Sequence, residues 1–221
     1  MNASKHCDRA MTLLELLVVL AVITVLAALI LPGLMRPQCV NSLRIQCVNN
    51  LKQTGLAYRI WESDHGNLYP QGVWETNGGT MEFTSGPNCY RHFQVMSNEL
   101  STPKVLLCPA DNDDRSIAAT NFFSLNNSNI SFFVGIVSND NIPTLILSGD
   151  HNIINGLSLK SGLLELTTNN PSRWTTEVHN KVGNILLADG SVQMVNISGL
   201  RQIVASSGVA TNRIQMPILG P

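Results

Sequence analysis

The sequence predicts an α+β fold, in which one long N-terminal helix packs on a C-terminal antiparallel β-sheet. Three observations predict it: an apolar run at residues 11–31, an amphipathic stripe that follows the run, and five strand-like segments in the C-terminal half. The chain has 221 residues, of which 44% are hydrophobic and only 13% are charged, and this composition suits one apolar helix and one globular domain. A formal net charge of −1 gives no electrostatic reason to expect a nucleic-acid partner.

The apolar run extends from Met11 to Leu31 and is interrupted only by polar residues such as Glu15 and Thr24. At about 1.5 Å per residue, a helix of this length crosses a hydrocarbon core of about 30 Å, so the run predicts a membrane span. A secretory signal peptide would have a shorter apolar core and a small-residue cleavage site, which the sequence after Leu31 lacks. A carboxylate at bilayer depth is unfavourable, so Glu15 is predicted either to have a partner or to lie near the headgroups.

A second pattern follows, in which apolar residues recur at intervals of three or four, as on one face of a helix. The stripe consists of Val40, Leu43, Cys47, Leu51, Gly55, Tyr58 and Trp61. We therefore predict one helix from about residue 11 to about residue 62, kinked or frayed near Pro32 and Pro37. Gly55 is predicted to be a close-packing position within the stripe.

The residues after the helix change in composition and predict loops followed by strands. Residues 63–90 are rich in Gly, Asn, Ser and Pro, and "RHFQVMSNEL" predicts a short helix before Pro103. The predicted strands are "ISFFVGIV", "PTLILSG", "LLELTT", "GNILLA" and "SVQMVN". Between the last two, Asp189-Gly190 predicts a hairpin turn that needs a positive φ, and "SGLRQIVASSG" predicts a C-terminal helix.

The N-terminal segment resembles the processing signal of type IV pilins and type II secretion pseudopilins. The matching residues are Ala10-Met11-Thr12-Leu13-Leu14-Glu15-Leu16, with a basic leader before them. The resemblance implies cleavage between Ala10 and Met11 by a prepilin peptidase, followed by N-methylation of Met11. It also implies that Glu15, as the fifth mature residue, neutralises the N-terminal amine of a neighbouring subunit, and that Pro32 kinks the helix. Ala10 departs from the family pattern, which has glycine before the cut.

The same resemblance implies a pilin-like organisation in three parts. These are a leader at residues 1–10, a transmembrane and assembly helix at residues 11–32, and a periplasmic domain at residues 33–221 that includes the second half of the long helix. The implied function is that of a structural subunit of a type II secretion-like pseudopilus, assembled in the inner membrane rather than acting as an enzyme. The implied partners are copies of itself or other pseudopilins, the prepilin peptidase, the secretion assembly platform and membrane lipid.

Two alternatives to the pseudopilin remain open at this point. A type IV minor pilin or surface adhesin would share the N-terminal features and would bind through exposed loops such as residues 63–90, which contain Trp74. The other alternative is a membrane-anchored periplasmic enzyme. The sequence has no Gly-x-Ser-x-Gly, Walker or Rossmann motif, so no residue is assigned a catalytic role.

A pseudopilin-like subgroup resembles this chain along most of its length, on pieces such as "CVNNLKQTGLAYRIW" and "HNKVGNILLADGSVQ". The second piece carries His179, Asp189 and Gly190, the H-X9-DG motif of that subgroup, whose role the resemblance does not specify. A metal site built from His179 and Asp189 with Asp150 and His151 would suit zinc better than calcium. No close ligand pair supports such a site, so a structural hydrogen bond is the preferred interpretation of His179.

The cysteines predict a disulfide in one of two arrangements. Cys39 and Cys47 lie about 12 Å apart along one helix, which is too far for a bond. Cys47 with Cys108, or Cys89 with Cys108, are the candidate pairs, and free buried thiols are the alternative.

The segment "ADNDDR" is a candidate calcium site, because related major pseudopilins bind calcium in a C-terminal loop. It supplies Asp111, Asp113 and Asp114. The spacing lacks the glycine and the distal glutamate of an EF-hand, and a run of acids is also typical of a solvated turn. No other cofactor is predicted.

Overall fold

Two helices, α1 (Leu13–Leu34) and α2 (Cys39–Asp64), form the N-terminal part of the chain. The structure is a computed structural model that describes residues 12–34, 39–111, 115, 117–137, 139, 141–170 and 172–219, and for residues 29–34 and 39–41 it describes the backbone alone. Residues up to 40 and residues from 41 onward form two compact units. The helices and the antiparallel sheet that follows confirm the predicted α+β fold.

Helix α1 begins after Thr12, whose Oγ1 accepts a hydrogen bond from the backbone N–H of Glu15 at 3.3 Å. This contact satisfies one of the N–H groups that the first turn of a helix leaves without a partner. The large apolar side chains from Leu13 to Leu26 are exposed. Within the residues that the structure describes, none of the helices combines the length and the apolar character needed to cross a bilayer.

Helix α2 confirms the predicted stripe over its described side chains. Cys47, Leu51, Tyr58 and Trp61 are buried, as the three-to-four spacing requires. A Cβ added at Gly55 would lie 2.7 Å from Leu186 Cδ1, so Gly55 is a close-packing position as predicted. Residues 35–38, which include Pro37, lie outside the described residues, and so does the side chain of Pro32, so the continuity of the two helices and the kink stay predictions.

Eight strands follow among the described residues of the second unit. They are β1 (Phe132–Gly135), β2 (Ile146–Asp150), β3 (Ile153–Ile154), β4 (Leu163–Leu166), β5 (Arg173–Trp174), β6 (Val182–Leu187), β7 (Val192–Asn196) and β8 (Asn212–Gln215). Six of them form one sheet in the order β4-β8-β1-β2-β6-β7, in which every neighbouring pair is antiparallel. The short strands β3 and β5 pair with each other in a second sheet.

The central strands β1 and β2 are buried on both faces of the large sheet, and successive side chains along a strand point to opposite faces. Phe132 and Val134 belong to a core cluster that includes the buried stripe of α2. Phe133, between them, belongs to a second cluster that includes helix α5 (Ile197–Ser206). Leu186 likewise lies in the first cluster, and its neighbour Ile185 lies in the second. The sheet therefore lies between α2 and α5.

Several parts of the chain differ from the prediction, and the short strands β3 and β5 were not predicted. The predicted short helix at residues 91–100 is two single turns, α3 (Arg91–Gln94) and α4 (Ser97–Leu100). The predicted loop at residues 63–90 contains three short 3-10 turns. Strand β8 was not predicted, because three of its four residues are polar, yet it pairs with both β1 and β4.

Candidate functional site

The N-terminal site is described from Thr12 onward. The Glu15 side chain lies in the first turn of α1 and is exposed, and it has no hydrogen-bond or ion-pair partner among the described residues. Ala10 and Met11, the predicted cleavage positions, lie outside the described residues. The backbone of Pro32 belongs to α1. The roles assigned to these four residues therefore stay predictions.

The two ends of the H-X9-DG motif lie at opposite ends of β6. Asp189 and Gly190 form the turn between β6 and β7, where Asp189 Oδ1 accepts a hydrogen bond from the N–H of Ser191 at 2.8 Å. Gly190 has a φ of 83°, which confirms the positive φ predicted for this hairpin. A turn thus explains Asp189 and Gly190, and the structure does not bring Asp189 to the other residues of the suggested metal site.

His179 lies in the turn before β6, where three consecutive non-glycine residues have positive φ: 54° at His179, 51° at Asn180 and 65° at Lys181. Such residues are uncommon because the Cβ crowds the backbone, so the surroundings must hold this turn in place. Arg44 of α2 does so by donating from Nη2 to the carbonyl oxygen of His179 at 2.9 Å. This bond fixes the imidazole beneath α2.

The structure brings His179 to a disulfide. Cys47 and Cys108 are bonded, with Cα atoms 4.8 Å apart, which is the first of the two predicted pairings. Cys89 is a free, buried thiol. The Nε2 atom of His179 lies 3.4 Å from Cys108 Sγ and 3.6 Å from Asp150 Oδ2. The predicted proximity of His179 and Asp150 is thus present, with a disulfide as the third member of the group.

Two more polar residues, His151 and Asp111, complete this group. We define the buried polar cluster as the following six residues: Cys47, Cys108, Asp111, Asp150, His151 and His179. Nε2 of His151 lies 2.9 Å from Oδ2 of Asp111. Asp150 Oδ2 accepts hydrogen bonds from the backbone N–H and the Nδ2 of Asn184 at 2.8 and 3.0 Å. Its other oxygen, Oδ1, is buried and has no hydrogen-bond partner among the described residues.

Burial sets the protonation states in this cluster. Desolvation raises the pKa of the Asp150 carboxyl to about 7, although hydrogen bonds from Asn184 act in the opposite direction. Desolvation and, to a smaller extent, the nearby Arg44 guanidinium lower the pKa of His179 to about 4, although the Asp111 carboxylate acts in the opposite direction. At neutral pH the imidazole of His179 is therefore uncharged, and one of its nitrogens has a free lone pair.

The candidate calcium site has only one described member. Asp111 is buried and contacts His151, whereas Asp113 and Asp114 lie outside the described residues. Calcium binding at this segment stays a prediction.

A third buried histidine was not singled out from the sequence. The Nδ1 of His92 lies 2.6 Å from Thr80 Oγ1, and its Nε2 lies 2.7 Å from Gln215 Oε1 on β8. Because the amide oxygen of Gln215 can only accept, Nε2 carries the proton and Nδ1 accepts from Thr80. Burial lowers the pKa of His92 to about 4. No sequence pattern indicates this contact, since its partners are distant along the chain.

Comparison with protein families gives a match at the N-terminal end of the chain. Residues 5–31 match the prokaryotic N-terminal methylation motif, the type IV pilin-like signal. Neither the curated proteins nor the solved structures gave any match to this chain. The motif supports a type IV pilin-like or pseudopilin subunit, which is a structural role.

Proposed function

We propose that the chain is a structural subunit of a type II secretion-like pseudopilus, cut by a prepilin peptidase between Ala10 and Met11. The observation that carries this proposal is the methylation motif at residues 5–31, which continues directly into helix α1 and its exposed apolar side chains. The subunit is anchored in the bacterial inner membrane through this helix, and its sheet domain lies in the periplasm. Pro32 kinks the helix.

The chain acts by assembling into a filament, and the Glu15 carboxylate is the charged group that assembly requires. Its carboxylate is exposed and has no partner among the described residues, although the side chains around it are apolar. In a filament, the methylated amine of Met11 from a neighbouring subunit supplies the opposite charge. A charge in an apolar environment is strongly unfavourable alone and acceptable as a pair, so the pair forms only in the polymer.

Processing is tested by N-terminal sequencing and intact mass of the protein recovered from its native membranes. We expect a methylated Met11 at the N-terminus. An intact Met1, or a cut after Leu31, would overturn the proposal. Replacing Ala10 with a bulky leucine should block the cut, whereas Ala10→Gly, which restores the pattern of the family, should preserve it.

Assembly is tested with Glu15→Ala, which should be processed normally and fail to enter the filament. The matched control is Thr24→Val, because Thr24 is the other polar residue within the helix and its hydroxyl already donates to Ala21 O at 2.8 Å. The control should assemble. Normal incorporation of Glu15→Ala would refute the role of the carboxylate.

A minor pilin or surface adhesin is the second candidate, favoured by two aromatic side chains on loops. Trp74 is 55% exposed and Phe123 is 97% exposed. Long extracellular filaments that contain the subunit would favour the pilin. A secretion defect without such filaments, after deletion of the subunit, would favour the pseudopilin.

A further inference from the structure

The buried polar cluster contains a set of metal-ligating atoms that the proposed assembly role does not use. Cys47, Cys108 and His179 each offer one ligand atom, and these atoms lie within 4.8 Å of one another. All three residues are buried, and they come from α2, from the segment after it and from the turn before β6. The fold therefore brings together ligands that are 61 and more residues apart in sequence.

We propose that, when the Cys47–Cys108 disulfide is reduced, Cys47, Cys108 and His179 bind one zinc ion whose fourth coordination position faces Asp150.

The distances suit tetrahedral zinc. With Zn–S bonds of about 2.3 Å and Zn–N bonds of about 2.1 Å, a sulfur and a nitrogen ligand lie about 3.6 Å apart. Cys108 Sγ and His179 Nε2 are separated by 3.4 Å. Asp150 Oδ2 lies 3.6 Å from His179 Nε2, so the carboxyl group is beside the proposed metal position. The two sulfurs must move from a bond of about 2 Å to about 3.8 Å, which follows once the bond is broken.

The surroundings favour a cation. His179 is buried and presents Nε2 both to Cys108 Sγ, at 3.4 Å, and to Asp150 Oδ2, at 3.6 Å. Asp150 is buried beside it and has one carboxylate oxygen without a hydrogen-bond partner among the described residues. A carboxylate next to a metal-bound histidine or water is a common supporting group in zinc sites. The hydrogen bond from Arg44 to His179 O holds the histidine in position from α2.

In this proposal, the disulfide and the zinc ion are alternative states of the same site. Reduction of the disulfide by a dithiol or a phosphine takes up two electrons and two protons and gives two thiols, while the reductant is oxidised. Zinc binding then releases the two thiol protons, because only thiolates coordinate. In either form the same segment around Cys108 is tied to α2. A zinc ion can therefore join the segment around Cys108 to α2 under reducing conditions, and the disulfide can join them under oxidising conditions.

The test uses the full chain in a non-ionic detergent, treated with a phosphine reductant and freed of metal with a chelator. Cobalt(II) serves as the probe, because cobalt–thiolate charge-transfer bands and the d–d bands of tetrahedral cobalt report the ligands directly. We expect one cobalt ion per chain with both sets of bands, and we expect zinc to displace it. The oxidised protein should show neither band.

Single variants identify the ligands. Cys47→Ser and Cys108→Ser should each lose most of the thiolate band, and His179→Ala should weaken binding and alter the d–d bands. Asp150→Asn should retain the bands while the apparent affinity falls about 10- to 100-fold. The matched control is Cys89→Ser, which removes a buried thiol outside the cluster and should bind cobalt as the wild type does.

Near-UV circular dichroism of the buried Trp61 and Trp174 reports folding in the same samples. A folded, reduced wild type without cobalt–thiolate bands would overturn the proposal, as would bands in Cys47→Ser that are as strong as those of the wild type. If reduction unfolds the metal-free chain, recovery of the fold on addition of zinc supports the proposal. A reduced chain that stays unfolded with zinc present would overturn it.

Discussion

Helices α1 and α2 follow each other in the sequence and are both rich in apolar residues, but they differ in what covers those residues. In α1, Leu13 is 77% exposed and Leu17 is 59% exposed. In α2, Leu51 and Tyr58 are fully buried against the sheet. An apolar stripe on one side of a helix is matched to a surface of the same domain, whereas a helix that is apolar all round must be covered by something else. The first helix therefore suits assembly and the second suits folding.

The largest expected effect on stability comes from removing the Cys47–Cys108 disulfide, which links α2 to the segment around Cys108. The Cys47→Ala, Cys108→Ala double variant lacks this bond, which in the wild type closes a loop with a sequence separation of 61 residues. The chain-entropy relation gives a loss of about 4 kcal/mol in the free energy of unfolding. Urea unfolding of the full chain in detergent, with a metal chelator present, measures it. Cys89→Ala is the control and should lose much less, and equal losses in the two proteins would contradict the prediction.

A pair of leucine variants compares the two helices directly. Leu51→Ala should lower the free energy of unfolding by about 3 kcal/mol, because it leaves a cavity in a fully buried site. Leu17→Ala removes a side chain that is 59% exposed and should change the free energy by less than about 0.5 kcal/mol. Both values come from the same urea titration. A large loss for Leu17→Ala would show that α1 also contributes to the stability of the fold.

The pH dependence of stability should come from the buried groups of the second unit. The pKa of His92 and of His179 is about 4 in the folded chain against 6.5 ordinarily, so the unfolded chain binds more protons and stability falls as pH falls from 6.5 to 4. The pKa of Asp150 is about 7 against 3.8, so Asp150 acts in the opposite direction and lowers stability as pH rises.

A variant without the Asp150 carboxyl group, whose titration opposes that of the two histidines, tests the pH dependence directly. Asp150→Asn should steepen the rise of stability between pH 4.5 and pH 6.5 by about 1.4 kcal/mol per pH unit. Urea unfolding of the wild type and the variant at several pH values in this range measures the two slopes. Equal slopes would mean that Asp150 is ionised throughout the range.

The smallest effect is expected at the outer edge of α2. Arg59 donates from Nη2 to the carbonyl oxygen of Ala188 at 3.2 Å, next to the turn between β6 and β7. Arg59→Ala should lower the free energy of unfolding by about 1 kcal/mol, the typical net contribution of one hydrogen bond. Lys52→Ala, on the exposed side of the same helix, should have no measurable effect. A loss as large for Lys52 as for Arg59 would contradict the assignment to the hydrogen bond, because alanine is the best helix former and neither change lowers helix propensity.

The elements that were predicted correctly depend on local patterns. The spacing from Cys47 to Trp61 determined the buried face of α2, and alternating strands with Asp189-Gly190 between them determined the β6–β7 hairpin. The methylation motif at residues 5–31 is also a continuous segment, and it was recognised from consecutive residues around Glu15. Each of these signals is contained in a short window of sequence, where helix and strand periodicity can be observed directly.

Tertiary structure decided the rest, because the partners are distant along the chain. Strand β8 has little strand character of its own and exists through its pairing with β1 and β4. The choice of Cys47 over Cys89 as the partner of Cys108 depends on where α2 lies over the sheet. Arg44 of α2 donates a hydrogen bond to the carbonyl oxygen of His179 in the turn beside that disulfide, and residues 44 and 179 are 135 positions apart. Long-range packing, which no local pattern encodes, therefore determined the buried polar cluster.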